Sequence, residues 1–466
     1  MKLLNAFFQL VVLSTLSRLL TPNEFGIMSI ALIILSFVDI FNDVGFGPAI
    51  TQKNEINDSD IETSFTSSIF LGLFLFISLQ FSASLIADFF KNQEIIPVLK
   101  SIAFTIFLTS ISATAKGLLY RRLELKTLTI ITVLSYIIGN GCVSISLALN
   151  GFGVWALVWG VLCQNIISTF LLIYYERKAF KFGWNKLSFH ELIGFGSGYT
   201  LGRIFTHVAN QGDKIIIGRF CDIATLGLYE RCFQIVRYTS GLMGEIIDKL
   251  LFSPIARKQK DLNIIRRVFL DITYVLAIVL FPLGFYMSQN AKYIVKFILG
   301  EKWLSSSSIV VAMSLTIFFW VTTKLGNTVA KSLGAVYERA IRNFVYAVLV
   351  VLASYLGVRH NIIVVAYLIS IVVVVNYVFS YIQIKKLTTL KNWNFIETHI
   401  LGLIVAALGY LITYWFRRIT GDFYNNTYIN LIGSGMIYSI LVFITAYQFD
   451  YKGVFIYYFT KIIGKK

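Results

Sequence analysis

Tyr199, Arg203, His207, Asn210 and Lys214 follow one another at steps of 4, 4, 3 and 4, which puts them on one face of a helix. Glu230, Gln234, Arg237, Gly241, Glu245 and Asp248 keep a similar spacing in the next segment. Guanidinium and ammonium groups bind anions, and arginine grips phosphate through paired hydrogen bonds. Amides and phenols suit ligands rich in hydroxyls. The candidates for ligand contact are therefore Arg203, Arg237, Asn210, Lys214, Gln234 and Tyr199. Asp39, Asp43, His207 and Glu230 are candidates for proton or ion coupling, since an unperturbed imidazole titrates near neutral pH and carboxylates take up cations.

The elements that carry these stripes are apolar. Hydrophobic residues make up 57% of the 466-residue chain and charged residues 14%. Apolar segments of bilayer length recur at 3–20, 25–47, 62–86, 95–120, 128–149, 153–175, 189–218 and 224–252, then at 266–289, 304–330, 337–357, 361–386, 398–416 and 426–447. No ten-residue alternation of the barrel type occurs, so the class is all-α, a polytopic membrane protein with about 14 transmembrane helices. A charge at mid-bilayer costs at least ~2.5–3.5 kcal/mol, so the stripes must face other helices or a water-filled path. Milder stripes run through Asn5 and Gln9, through Ser29, Ser36, Asp39 and Asp43, through Ser101, Thr105, Thr109, Ser112 and Lys116, and through Thr316, Trp320, Thr323, Asn327 and Lys331.

Each candidate has a plainer reading. Arg203 and Arg237 would also serve as helix-pairing ions with Asp213, Glu230 or Asp248. His207 would also serve as a hydrogen-bonded packing residue, and Asp39 and Asp43 as neutralisers of nearby Arg and Lys. Lys116 and Lys331 lie near helix ends, where they snorkel. Asp58-Ser59-Asp60 has the D-x-D form of sugar transferases, and also that of a capped helix start. Cys142, Cys163, Cys221 and Cys232 lack CxxC spacing and read as small apolar residues, so no metal or cofactor is expected.

The net charge of +17 reports orientation rather than nucleic-acid binding. With the N-terminus inside, and helix-end residues counted with their loops, cytoplasmic loops and tail hold 22 Lys and Arg against 11 outside. Both termini are thus expected in the cytoplasm. No loop exceeds roughly 20 residues, which leaves no soluble domain to hold glycosyltransferase or polymerase chemistry, so no enzyme activity is expected. A weak repeat organises the rest. Arg18 and Gly26 stand eight apart, as do Arg219 and Gly227, and Tyr120-Arg121-Arg122 is echoed by Tyr337-Glu338-Arg339. That divides the chain into lobes 1–186 and 187–392, each of six helices and related by an axis along the membrane normal, with a helix pair and basic tail at 393–466.

The segment Leu16-Ser17-Arg18-Leu19-Leu20-Thr21-Pro22-Asn23-Glu24-Phe25-Gly26 resembles the opening signature of Wzx-type polysaccharide and O-antigen flippases, close to their colanic-acid-exporter branch. Phe41-Asn42-Asp43-Val44-Gly45-Phe46-Gly47, Gly151-Phe152-Gly153-Val154-Trp155-Ala156-Leu157, Asp213-Lys214-Ile215-Ile216-Ile217-Gly218, Leu226-Gly227-Leu228-Tyr229 and Leu299-Gly300-Glu301-Lys302-Trp303 are similar in the same order. The resemblance implies membership of the multidrug/oligosaccharidyl-lipid/polysaccharide exporter superfamily, with two six-helix lobes around a cationic cavity lined by helices 1, 2, 7 and 8. It implies translocation of a polyprenyl-pyrophosphate-linked oligosaccharide across the bacterial inner membrane, beside membrane lipids and other polysaccharide-assembly proteins as partners. It also implies a short basic, Trp-containing segment before the first helix, which Lys2 does not match and which points to a misplaced start or a shortened helix. An ion-coupled drug exporter of the same superfamily and a membrane-embedded glycan polymerase or ligase are the alternatives.

Overall fold

The computed structural model describes residues 2–43, 46–53, 55–257, 261–420, 427–448 and 453. Among the described residues the chain is helical, with no strand. In chain order come α1 (Lys2–Leu19), α2 (Pro22–Asp43), α3 (Phe46–Gln52), α4 (Asp58–Phe90), α5 (Ile95–Ile102), α6 (Phe104–Arg121), α7 (Leu125–Tyr136), α8 (Ser144–Leu149), α9 (Val154–Tyr175), α10 (Lys186–Phe220) and α11 (Ile223–Arg257). Then follow α12 (Leu262–Gln289), α13 (Ala291–Ile298), α14 (Ser307–Ser314), α15 (Ile317–Ser332), α16 (Val336–Val358), α17 (Ile362–Thr388), α18 (Asn392–Thr420) and α19 (Thr427–Gln448).

Every apolar segment read from the sequence falls on one of these helices or on a helix pair. Among the described residues, 9 helical stretches are long and apolar enough to cross a membrane, and the pair α14–α15, bent by 48°, makes a tenth. Shorter apolar stretches occupy Ala6–Leu19 in α1 and Gly433–Ile444 in α19. The striped helices α10 and α11 are 35 residues each, about 52 Å at 1.5 Å per residue, which exceeds a bilayer core. On α4, Phe70, Phe74, Ile77, Phe81 and Leu85 stand exposed in a row at helical spacing, a face suited to lipid and not to water. The protein is a multi-pass membrane protein.

Local chemistry sets the helix ends. Asn57 caps α4 by accepting from Asp60 N, and the Asp60 carboxylate returns the bond to Asn57 N at 3.2 Å. That capping box, with a Lys53 Nζ–Asp60 Oδ2 ion pair of 2.8 Å, accounts for the D-x-D motif. Asn185 caps α10 through Leu187 N and Ser188 N, and Asp261 caps α12 through Asn263 N and Ile264 N. Between α7 and α8 the chain widens into a π turn at Ile137–Val143.

The chain resolves into two compact units, Met1–Glu230 and Arg231–Lys466, divided inside α11. The units and the lobes expected from the sequence divide the chain at different places: α10, read from the sequence as the start of the second lobe, belongs to the first unit. In the first unit a core of Phe46, Ile50, Leu118, Leu119, Ile131 and Leu172 ties α3 to α6, α7 and α9. At the far end of this unit the starts of α2 and α11 touch backbone to backbone. A Cβ at Gly26 would lie 2.0 Å from the Ile223 carbonyl oxygen, and one at Gly227 would lie 1.9 Å from that of Pro22. Only glycine fits at either position. In the second unit Tyr274 and Ile278 of α12 pack with Leu401 of α18.

Candidate functional site

The first unit contains a cavity of about 680 Å³ between α2, α3, α6 and α10. Arg203 of α10, Lys116 of α6 and Asp39 of α2 supply its charges; Asn42, Gln52 and Thr109 are among its neutral polar groups. The lining runs inward from Leu123 and Leu125 at the turn after α6 to Thr109, roughly 18 Å of helix rise from Arg121. A group reaching Thr109 has therefore entered the membrane.

The walls are held rigidly. Asn42 Nδ2 donates to Thr109 Oγ1 at 3.2 Å, and Ser110 Oγ donates to Asn42 Oδ1 at 2.9 Å, which fastens α2 to α6. Thr51 Oγ1 donates to the Gly117 carbonyl at 3.1 Å, and a Cβ at Gly117 would stand 2.5 Å from the Gly47 carbonyl oxygen. The floor helix α3 thus lies directly on α6. Just outside, Lys53 Nζ pairs with Glu191 at 2.7 Å as well as with Asp60. Burial opposes the charge on Lys53, but the hydrogen bonds to Asp60 and Glu191 prevail and raise its pKa above the ordinary lysine value.

The sequence candidates separate into groups. Asp39 and Arg203 come together at this cavity. One turn along α10, His207 is half-buried with its ring centroid 5.6 Å from that of Phe37 of α2. Lys214 and Glu230 meet in a buried ion pair between α10 and α11, Nζ to Oε2 at 2.7 Å. Lys214 Nζ also donates to Gln211 Oε1 at 2.8 Å, and Tyr229 OH donates to Asp213 Oδ2 at 2.7 Å. Asn210 is exposed on α10. In the second unit Gln234 accepts from Arg231 Nη1 at 2.8 Å and donates to Tyr238 OH at 2.7 Å. Arg237 sits over the Phe233 ring, 5.9 Å from its centroid. The side chains of Tyr199 and Asp43 lie outside the described residues, as do those of Glu245 and Asp248.

Asn42, Thr51 and Gln52 are lining residues outside the stripes. Lys116 closes the Thr105–Thr109–Ser112 stripe, and its place near a helix end reads equally as snorkelling. Asn42 follows Asp39 by three on α2 and so shares its face. Thr51 and Gln52 sit in α3, whose 7 residues are too few to register as a helix.

Fold and cavity together define a multi-pass membrane protein with a half-open cavity between its helices, lined by Arg203, Lys116 and Asp39. The polysaccharide biosynthesis protein family matches residues 15–308, and the chain belongs to that family. Every motif that carried the resemblance, from Leu16 to Trp303, lies inside the match. The teichuronic acid biosynthesis protein TuaB of Bacillus subtilis is 25% identical over 310 residues, 66% of this chain and 64% of that protein. The lipopolysaccharide biosynthesis protein WzxC of Escherichia coli is 22% identical over 328 residues, 70% of this chain and 66% of that one. The chain thus spans just under two thirds of the length of these relatives. Among solved structures, the lipid II flippase MurJ in an inward closed conformation matches with a TM-score of 0.77 at 14% identity, over 96% of this chain and 97% of its own. That likeness establishes the fold.

Proposed function

We propose that this protein is a flippase that carries a polyprenyl-pyrophosphate-linked oligosaccharide across the bacterial cytoplasmic membrane during surface polysaccharide assembly. The observation that carries the reading is the cavity where Arg203 and Lys116 stand with Asn42, Gln52, Thr51 and Thr109. A polyprenyl tail stays in lipid unaided, whereas a pyrophosphate and several sugars do not cross it. Fixed guanidinium and ammonium groups offset the hydration that the phosphates lose, and amides and hydroxyls replace water around the sugars. TuaB and WzxC, by their names, serve teichuronic acid and lipopolysaccharide biosynthesis, which supports a glycan cargo.

In this reading lobes 1–186 and 187–392 rock about the cavity and expose it to each side in turn, with 393–466 appended. Arg203 and Lys116 hold phosphate, Arg237, Gln234 and Asn210 extend the polar path, and Asp39 and His207 respond to ions or protons. Both termini lie in the cytoplasm, and no bond is made or broken.

Deletion of the gene in its host tests the reading. The expected result is loss of one surface polysaccharide, with its lipid-linked repeat unit retained on the cytoplasmic side. Normal surface glycan together with new sensitivity to cationic dyes would instead indicate a drug exporter.

A further inference from the structure

The segment that joins α9 to α10 carries positive charge and exposed aromatic surface together. It opens with a short 3₁₀ turn at Arg177–Ala179 and runs on to Asn185, the cap of α10. Arg177, Lys178, Lys181 and Lys186 are all exposed. So are Tyr174, Tyr175, Phe182, Trp184 and Leu187, with Phe182 at 73% and Leu187 at 71%. Large apolar side chains turned outward on so basic a segment mark a contact surface.

The segment is fastened in place. Gly183 N donates to Thr66 Oγ1 at 3.1 Å and Asn185 N to Thr63 Oγ1 at 3.0 Å, which straps it across α4. Phe180 and Phe182 lie against Phe65, with ring centroids 5.4 and 5.2 Å away, and Trp184 lies 4.5 Å from Phe189 of α10. The Arg177 guanidinium stands over the Tyr174 ring, 5.4 Å from its centroid.

Two helices set the depth of the strap. On α9, Ile166, Phe170 and Tyr174 are exposed at helical spacing, and this apolar row ends three residues before Arg177. On α4 the exposed row begins at Phe70, about 6–10 Å of helix rise beyond Thr66 and Thr63. The strap therefore lies where both lipid-facing rows stop, at headgroup level on one membrane face. Nearby carboxylates do not neutralise it. Glu176 is buried against Arg122, and Glu62 lies beneath Gly183, one charge against four. Among the described residues no carboxylate pairs with Lys178, Lys181 or Lys186.

We infer that this strap binds the headgroups of acidic phospholipids. Arg177, Lys178, Lys181 and Lys186 meet the phosphates, while Phe182, Trp184 and Leu187 enter between the headgroups and the acyl chains. Aromatic anchoring alone would fix depth and ignore headgroup charge; the four cations add the selectivity. This surface is separate from the polar cavity at Arg203 and does not depend on the glycan cargo.

Trp184 can report its own lipid neighbours. The full-length protein is reconstituted in vesicles of phosphatidylcholine and phosphatidylglycerol, with bromine, a quencher of indole fluorescence, on the acyl chains of one lipid or the other. The Trp184 signal is the difference between the wild-type protein and Trp184→Phe. At equal mole fraction, phosphatidylglycerol should be favoured at Trp184 by at least about fivefold, the weight of one cation at a charged surface. The exposed triple variant Lys178→Gln, Lys181→Gln, Lys186→Gln should melt as wild type and bring the two lipids close to parity, with Trp184 still quenched. Molar salt should erase the same preference in the wild-type protein. Parity of the two lipids around the wild type, a preference that survives both the triple variant and molar salt, or no quenching of Trp184 by either lipid would each overturn the inference.

Discussion

Gly26 and Gly227 form a reciprocal contact in which each glycine rests on the residue that opens the other's helix. Gly26 meets Ile223 at the start of α11, and Gly227 meets Pro22 at the start of α2. The capping residues correspond as well. Thr21 Oγ1 accepts from Glu24 N at 3.4 Å before α2, and Asp222 Oδ2 accepts from Thr225 N at 3.0 Å before α11. Both members lie in the first unit, so this two-fold likeness is internal to it.

The reciprocity makes a stability prediction. Gly26→Ala and Gly227→Ala each push the same two backbones apart and should each cost about 1–3 kcal/mol, the usual range for overpacking. Once one substitution has separated the helices, the second meets less resistance. The double variant should therefore lose clearly less than the sum of the two, as thermal melts of purified protein would read. Strict additivity would mean that the two contacts are independent.

Arg203 supplies the second prediction, through its place in the cavity with Lys116 and Asp39. Arg203→Glu should abolish glycan export, Arg203→Ala should impair it badly, and Arg203→Lys should keep part, since charge survives without the fork. Membrane abundance measured alongside should stay near wild type. A fall in abundance across all three, with export proportional to it, would make Arg203 a helix-pairing residue.

Lys214 and Glu230 behave differently because the lysine of their ion pair is buried and the glutamate largely so. Lys214→Met removes the ammonium that pairs with Glu230 and should cost about 3–5 kcal/mol, seen as lost folded protein. Lys214→Met combined with Glu230→Leu should restore most of it. Export at normal levels by Lys214→Met would show that the fold does not depend on this ion pair.

Orientation is tested by reporter fusions. Fusions within 177–187 and 257–266 should report the cytoplasm and fusions within 417–425 the outside, following the 22-to-11 excess of Lys and Arg. Reversed signals at these sites would invert the whole topology.

Much of the fold was readable because a bilayer demands long apolar helices, and each apolar segment became one helix or a helix pair. Helical spacing also put Arg203 and Asp39 on inward faces, since lipid leaves a charged stripe few alternatives. Periodicity could not say which stripe residues face each other, so Lys214 and Glu230 read as ligand and coupling groups although the fold joins them. The short helix α3 gave no periodic signal, and Thr51 and Gln52 became visible as cavity lining only through its packing on α6. Arg342 of α16 is buried, yet one charge near the end of an apolar segment looks like a snorkelling residue until its burial is known.

The most direct measurement of the central claim is translocation by the purified protein in liposomes. A polyprenyl-pyrophosphate-linked oligosaccharide with a fluorescent sugar is placed in both leaflets, and a membrane-impermeant quencher reports the share facing outward over time. Liposomes with the wild-type protein should let the quencher reach nearly all of the label, while Arg203→Glu and protein-free liposomes should hold at about half. Equal quenching by wild type and Arg203→Glu, or no quenching beyond the protein-free level by a folded wild-type protein with any lipid-linked glycan of its host, would contradict the account.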